Sequence, residues 1–226
     1  MAKLVLFDID YTLVVGIQAH AQAFLRAYKT IYGVETQHER IYHNFTDLQI
    51  IHFELKRHGL SETEVTSKLP QCLEFMAREY KKLVAEEKFT VLPGVPELLT
   101  ALSQRKILMG LVTGNLKDIA KAKLEKTGLW HHFGVGGFGS DGAERNKLAQ
   151  LAVERARTDY KFPADGEVFS IGDAPADMEA GKVVGAKTIG ITTSVYSPEQ
   201  LKVAGADVVL ENLADTKRVL QELGIV

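Results

Sequence analysis

The strongest constraint on this chain is the regular exchange of short apolar runs and amphipathic stretches from residue 92 onward. Apolar runs at 107–112, 135–138, 167–171, 187–191 and 207–210 are too short for ordinary helices and end in Gly, Asn, Asp or Thr. Helical spacing fills the intervals, at 97–104, 116–127, 146–157, 177–184 and 215–223, with Ser197-Pro198 opening one more helix. Strands alternating with helices in this way build a parallel sheet with helices packed on it. The opening run Lys3-Leu-Val-Leu-Phe7 fits such a sheet. Leu4 and Leu6 fall on one face and Val5 and Phe7 on the other, so both faces are apolar.

Between that first strand and residue 88 the pattern is different. Ile17, His20, Ala21, Phe24, Ala27, Tyr28, Ile31 and Tyr32 recur at helical spacing and stop at Gly33. A second helix is predicted over Asp47–Arg57, ended by Gly59. Ser61 and Glu64 form a capping box for a third, which runs to about residue 87 with Pro70 as a candidate break. No stretch from 16 to 87 reads as a strand. The expected architecture is therefore α/β: a Rossmann-like parallel-sheet core of three layers (α/β/α), formed by residues 1–14 and 90–226, with an inserted all-helical domain at 15–89.

Composition removes several classes of function. A net charge of −2 over 226 residues argues against binding nucleic acid or a membrane by bulk electrostatics. The single cysteine, Cys72, excludes an intramolecular disulfide and any multi-cysteine zinc site. Its neighbours Leu69, Leu73 and Met76 suggest a buried, inert thiol. No segment has the length of a bilayer span, and the short amino-terminal apolar run leads straight into acids rather than a cleavage site. A soluble, cytoplasmic protein is expected.

Ligand sites of parallel sheets lie beyond the carboxyl ends of the strands. There the first strand offers Asp8, Asp10 and Thr12, and the next offers Thr113 with the amides of Gly114 and Asn115 at a helix start. Arg145 and Lys147 follow a short strand, and Asp173 and Asp177 follow another. Carboxylates, two cations, a hydroxyl and free amides together describe a phosphate site with a divalent ion. Hard oxygen donors without nitrogen or sulfur favour Mg²⁺.

Three stretches, Phe7-Asp8-Ile9-Asp10-Tyr11-Thr12-Leu13, Val112-Thr113-Gly114-Asn115 and Ile171-Gly172-Asp173-Ala-Pro-Ala-Asp177, resemble motifs of the haloacid dehalogenase-like hydrolases. The run from Asp177 to Thr188 and the Leu92-Pro93-Gly94-Val95 turn are similar to the phosphoglycolate phosphatase branch, which carries a helical cap between its first two motifs. The resemblance implies a Mg²⁺-dependent phosphatase acting on a small phosphorylated metabolite such as a phosphoglycolate-like monoester. It implies Asp8 as nucleophile, forming an aspartyl-phosphate, and Asp10 as acid and base. It also implies Mg²⁺ held by Asp8, the Asp10 carbonyl and Asp173 with Asp177 in support, and phosphate oxygens bound by Thr113 and the Asn115 amide.

Two departures stand out. The Lys-Pro of the family's third motif is absent, and Arg145 stands nearest its place, with Lys147 two residues on. Tyr11 replaces the commoner glycine between Asp10 and Thr12, at the hinge into the cap. Asp10 disfavours a true dehalogenase, which lacks an acid there. It also disfavours a receiver-type signalling module, which needs no leaving-group acid. A sugar phosphomutase shares these core residues, and an inactive relative would not need complete acid motifs. Thr46, Asp47 and Arg57 are polar positions of the insert that could touch a substrate, and helix capping explains Thr46 and Asp47 equally well. His131 and His132 are adjacent and expected to diverge, which argues against a zinc site.

Overall fold

The computed structural model describes residues 1–37 and 42–225. The first strand, β1 (Lys3–Phe7), is followed by β2 (Val14–Val15) and by helix α1 (Gln18–Ala27), which closes through a π-helical turn, Tyr28–Tyr32, on Gly33. Helices α2 (Asp47–Arg57) and α3 (Glu62–Leu83) complete the helical insert, and β3 (Thr90–Val91) returns the chain. Strand and helix then alternate through α4 (Val95–Gln104), β4 (Leu108–Thr113), α5 (Lys117–Lys126), β5 (Val135–Phe138) and α6 (Arg145–Tyr160). They continue as β6 (Glu167–Gly172), α7 (Pro175–Val183), β7 (Lys187–Ile191), α8 (Pro198–Val203), β8 (Val208–Leu210) and α9 (Thr216–Glu222).

The main sheet is parallel throughout, in the order β5-β4-β1-β6-β7-β8. β1 lies inside it, between β4 and β6, so its acids emerge at the middle of the crevice edge. Val5 and Phe7 pack with α4, α5 and α9 through Leu98, Leu102, Leu124 and Val219. Leu4 and Leu6 pack on the other face against Leu148 and Ala152 of α6 and Ala180 of α7. The chain is thus a three-layer α/β/α fold. Full burial of one such side chain contributes about 1.5–3 kcal/mol, so substituting a charge at Leu6 or Phe7 would remove the sheet's centre.

The insert has its own apolar core, Phe24, Tyr28, Ile51, Leu55, Val65, Met76 and Tyr80 among its members. It also takes in Leu116 and Ile119 at the start of α5. Cys72 is buried there, and its thiol is pushed up to about 12 by desolvation, as expected of an inert thiol. Both connections to the insert run together as an antiparallel pair, Val14 opposite Val91 and Val15 opposite Thr90. The expected break at Pro70 does not occur. α3 is continuous from Glu62 to Leu83, because buried Val65 on one side and Cys72 and Met76 on the other hold both halves to the same core. Among the described residues, no helix is long and apolar enough to cross a membrane.

The loop after β5 is tied down before it delivers α6. Asp141 accepts from the Phe138 amide at 3.0 Å and from both terminal nitrogens of Arg155 at 2.7 and 2.8 Å, while Arg155 also donates to the Gly136 carbonyl. The Arg155 hydrogen bonds hold the Asp141 carboxyl below its ordinary value against a smaller opposing effect of burial. A depressed carboxyl pKa stabilises the fold above the unfolded value near 4, and this contribution disappears as pH falls through the folded value. Asp141→Ala is therefore expected to cost about 1–2 kcal/mol at pH 7. In urea unfolding the difference from wild type should shrink as pH falls below the unfolded carboxyl value of about 4.

Candidate active site

β1 ends against β6, with the Asp8 amide donating to the Ile171 carbonyl at 3.0 Å. That pairing brings Asp8 beside Asp173 and Asp177, and one carboxylate oxygen of each lies within 4.8 Å of the others. All three are buried. Burial and the neighbouring Asp177 raise the Asp8 carboxyl well above its usual range, and Arg145 only partly opposes them. Asp173 is pushed up to about 7, by desolvation first and then by Asp177. Three buried acids with one guanidinium among them are short of positive charge.

Arg145, the first residue of α6, supplies that guanidinium. Its Nη1 donates to Asp8 Oδ1 at 3.2 Å and pairs with Asp177, while its Nε is buried without a partner. Lys147 does not reach the site. It is exposed and pairs with Glu144 at 3.0 Å, because two residues along the first turn of a helix point away from each other. Asp177 holds the start of α7, its Oδ2 accepting from the Ala174 amide at 3.0 Å. Gly172 sits under it, and a Cβ there would overlap the Asp177 side chain.

Thr12 is fully buried and is not exposed to the cavity as a phosphate ligand would be. Its hydroxyl donates to Asp173 Oδ1 at 2.9 Å, and the Asp173 carbonyl accepts from Ser194 at 3.1 Å. Asn115 does not cap α5, whose cap is Leu116, one residue later. The reason is chemical. The Asn115 side chain turns to Asp10 Oδ2 at 2.7 Å and to the Thr113 hydroxyl at 2.8 Å. The free amides of α5 are instead met by Asp47, which accepts from Leu116, and by Ser140, which accepts from Lys117. Asp118, in the first turn of α5, pairs with Lys81 of the insert.

Tyr11 adopts the left-handed conformation, φ 57°, that a glycine reaches without strain. Its amide donates to Val14 at 2.9 Å, its carbonyl accepts from Thr193, and its ring lies 5.5 Å from that of His43. The commoner glycine is thus replaced by a residue whose strain is offset by contacts with the cavity wall. The turn returns the chain to β2 and the insert.

Sequence reasoning did not single out Lys123 of α5. It is fully buried, with Nζ 2.6 Å from Asp10 Oδ1 and 2.9 Å from Asn115 Oδ1. The signal was present: Leu116, Ile119, Ala120 and Leu124 define an inward stripe, and residue 123 falls on it. Burial raises the Asp10 carboxyl, but Lys123 first, then His20, with hydrogen bonds from Lys123 and Asn115, outweigh it and leave the group below its ordinary value.

A cavity of about 530 Å³ opens over these groups. Asp8, Asp10, Arg145 and Asp173 form its floor, with Gly114 and Asn115, and the insert adds His20, Phe24, Tyr42, Phe45 and Asp47. The insert docks at Gly114, whose carbonyl accepts from the Asp47 amide at 2.9 Å. A Cβ on Gly114 would stand 2.7 Å from the Thr46 Cα, so only glycine permits this approach. Thr46 caps α2 and donates to the Ala143 carbonyl, and Arg57 pairs with Glu54 outside the cavity. The His131 and His132 rings do not diverge. A 3₁₀ turn brings them to 4.0 Å, yet neither belongs to a metal-sized cluster among the described residues.

Comparison with known proteins adds the ancestry of this arrangement. A phosphoglycolate phosphatase of Synechococcus elongatus is 26% identical over 230 residues, covering 97% of each chain. A Dickeya dadantii protein named probable phosphatase IndB is 26% identical over 221 residues, covering 95% of this chain and 92% of its own. Among solved structures, a hydrolase from Pseudomonas syringae superposes with a TM-score of 0.70 at 23% identity, over 97% and 98% of the two chains. The family model described as haloacid dehalogenase-like hydrolase matches residues 5–191, a span that begins in β1 and ends in β7. By that match, which takes in every acid of the floor, the chain belongs to the haloacid dehalogenase-like hydrolases.

Proposed function

We propose that the protein is a Mg²⁺-dependent phosphatase of a small phosphorylated metabolite, working through an aspartyl-phosphate on Asp8. The observation that carries this reading is Arg145, held among Asp8 and Asp177 with its buried Nε left without an acceptor. A phosphoryl oxygen is the acceptor this fork suits, since a guanidinium binds phosphate through two parallel N–H groups.

The residues also fit the ion. Three carboxylates converge within 4.8 Å, two of them with raised pKa values, so a divalent cation would relieve a repulsion that Arg145 leaves in part. Asp8, Asp173 and Asp177 with the Asp10 carbonyl would hold it. When bound, Mg²⁺ neutralises charge on the transferring phosphoryl group.

In this reading the Asp8 carboxylate attacks phosphorus, and the bond to the ester oxygen breaks as that oxygen takes a proton from Asp10, which gains it as the substrate's negative charge enters beside it. Water then attacks phosphorus of the aspartyl-phosphate, Asp10 accepts its proton, and the bond from phosphorus to the Asp8 oxygen breaks, which restores the Asp8 carboxylate and frees inorganic phosphate. Arg145 and the Gly114–Asn115 turn, which line the cavity, steady the phosphoryl oxygens, while Thr113, fully buried off the cavity, holds Asn115 in place. We divide the chain into a core of residues 1–14 and 90–226 and a helical cap of 15–89. The cap's aromatic wall over the cavity favours small substrates and limits water.

The test is a panel of phosphomonoesters, phosphoglycolate and sugar phosphates included, assayed with Mg²⁺ and with EDTA. Phosphate release that requires Mg²⁺ is expected. Absence of metal-dependent release from every ester would overturn the proposal, and isomerisation of a sugar phosphate without release would mark a mutase.

A further inference from the structure

We propose that Lys123 is a positioning residue for Asp10: its ammonium and the Asn115 amide together fix the orientation in which the Asp10 carboxylate meets the leaving group and the incoming water. The inference rests on the acid–base role given to Asp10 above.

The geometry is a closed ring of hydrogen bonds. Lys123 Nζ donates to Asp10 Oδ1 at 2.6 Å and to Asn115 Oδ1 at 2.9 Å, and Asn115 Nδ2 donates to Asp10 Oδ2 at 2.7 Å. Each carboxylate oxygen has a separate donor, so rotation about the Asp10 side chain would break at least one bond. The amide orientation is fixed as well, because its nitrogen faces the carboxylate and its oxygen faces the ammonium. Asn115 in turn gives Nδ2 to Thr113, so the ring is anchored to the end of β4.

Stability alone does not account for this lysine. α5 is wedged between the sheet core, which holds Ala120 and Leu124, and the insert core, which holds Leu116 and Ile119. Exchange of both members of a buried ion pair for apolar side chains is often neutral or stabilising, so packing at 123 does not by itself call for a lysine, although removing the ammonium alone leaves Asp10 without its partner. What the lysine adds is a defined place for a carboxylate that also lines the cavity, with its side chain 26% exposed.

The experiment compares wild type, Lys123→Met, Lys123→Arg and Asn115→Ala on an alkyl phosphate and on p-nitrophenyl phosphate, all with Mg²⁺. For Lys123→Met the kcat on the alkyl ester is expected to fall about 100-fold, the scale of general acid–base catalysis, with KM within about threefold. On the aryl ester, whose leaving anion needs no acid, the first step survives while hydrolysis of the phosphoenzyme slows. A burst of p-nitrophenolate approaching one equivalent per site, absent from wild type, should appear. Lys123→Arg should recover part of the loss, and Asn115→Ala should show the same pattern in weaker form.

Equal losses on both esters with no burst, or no loss at all, would overturn the inference. If Lys123→Met fails to fold, the Asn115→Ala measurements decide: a burst upholds the inference and its absence overturns it. Inactivity of the wild-type protein on every ester would instead sink the phosphatase reading itself.

Discussion

Asp8→Asn is expected to lower phosphate release by at least about four orders of magnitude, the scale on which removal of a nucleophile acts. The fold has no reason to suffer. Asp8 is buried, its carboxyl is raised by desolvation and by Asp177, and an amide of the same shape removes one of the crowded charges. A carboxyl raised in the folded state favours folding where it is protonated, and this advantage is lost as pH rises through the folded value. At neutral pH the metal-free variant should therefore melt above metal-free wild type. Activity is read as phosphate release with Mg²⁺, and stability as the thermal midpoint in EDTA. Residual turnover within tenfold of wild type would remove Asp8 from the chemistry. A lowered midpoint would show that its charge is a structural asset.

The second large effect is expected at Arg145. Arg145→Met leaves Asp8, Asp173 and Asp177 buried together with no guanidinium, and takes away the unpartnered Nε. Turnover should fall about 10²–10³-fold, as it does when a preorganised donor to a developing oxyanion is lost. The variant should also become more dependent on Mg²⁺ for stability, since burying charge without a partner is strongly destabilising. Arg145→Lys keeps the charge and loses the fork, so activity intermediate between the two is expected. Melting curves with and without Mg²⁺, together with kcat and KM, check both statements. Equal activity of the Lys and Arg forms would show that only a point charge is needed.

Much of the core was legible because its signals are local. A strand apolar on both faces, as in Lys3–Phe7, belongs in the middle of a covered sheet, and the structure puts β1 between β4 and β6. Acids straight after such strands, Asp8 and Asp173, converge because parallel strands end on the same edge. Arg145 and Lys147 could not be told apart in sequence, since their separation needs the direction of the first turn of α6. Lys123 escaped for a similar reason: a lysine on a helix reads as solvated until the second apolar surface, here the insert, is known to cover it. Thr12 and Asn115 were recognised as polar residues of the site, but their partners, Asp173 and Asp10, depend on loops meeting across the crevice. The pattern at Pro70 gave too much weight to one local rule, which the buried face of α3 overrides.

The place of β1 also bears on how the chain is made. This strand precedes both of its partners in the chain, Leu108–Thr113 and Glu167–Gly172, and is separated from the first by the insert and from the second by much of the core as well. Nor can the insert finish its own core early, because Leu116 and Ile119 belong to it. During synthesis the apolar Leu-Val-Leu-Phe segment therefore lacks one neighbour until Thr113 has been made and the other until Gly172 has been made. Such segments invite wrong pairing between chains. Asp8 and Asp10 at one end and Lys3 at the other put charges beside it, the flanking arrangement that discourages aggregation while a strand waits for its neighbours.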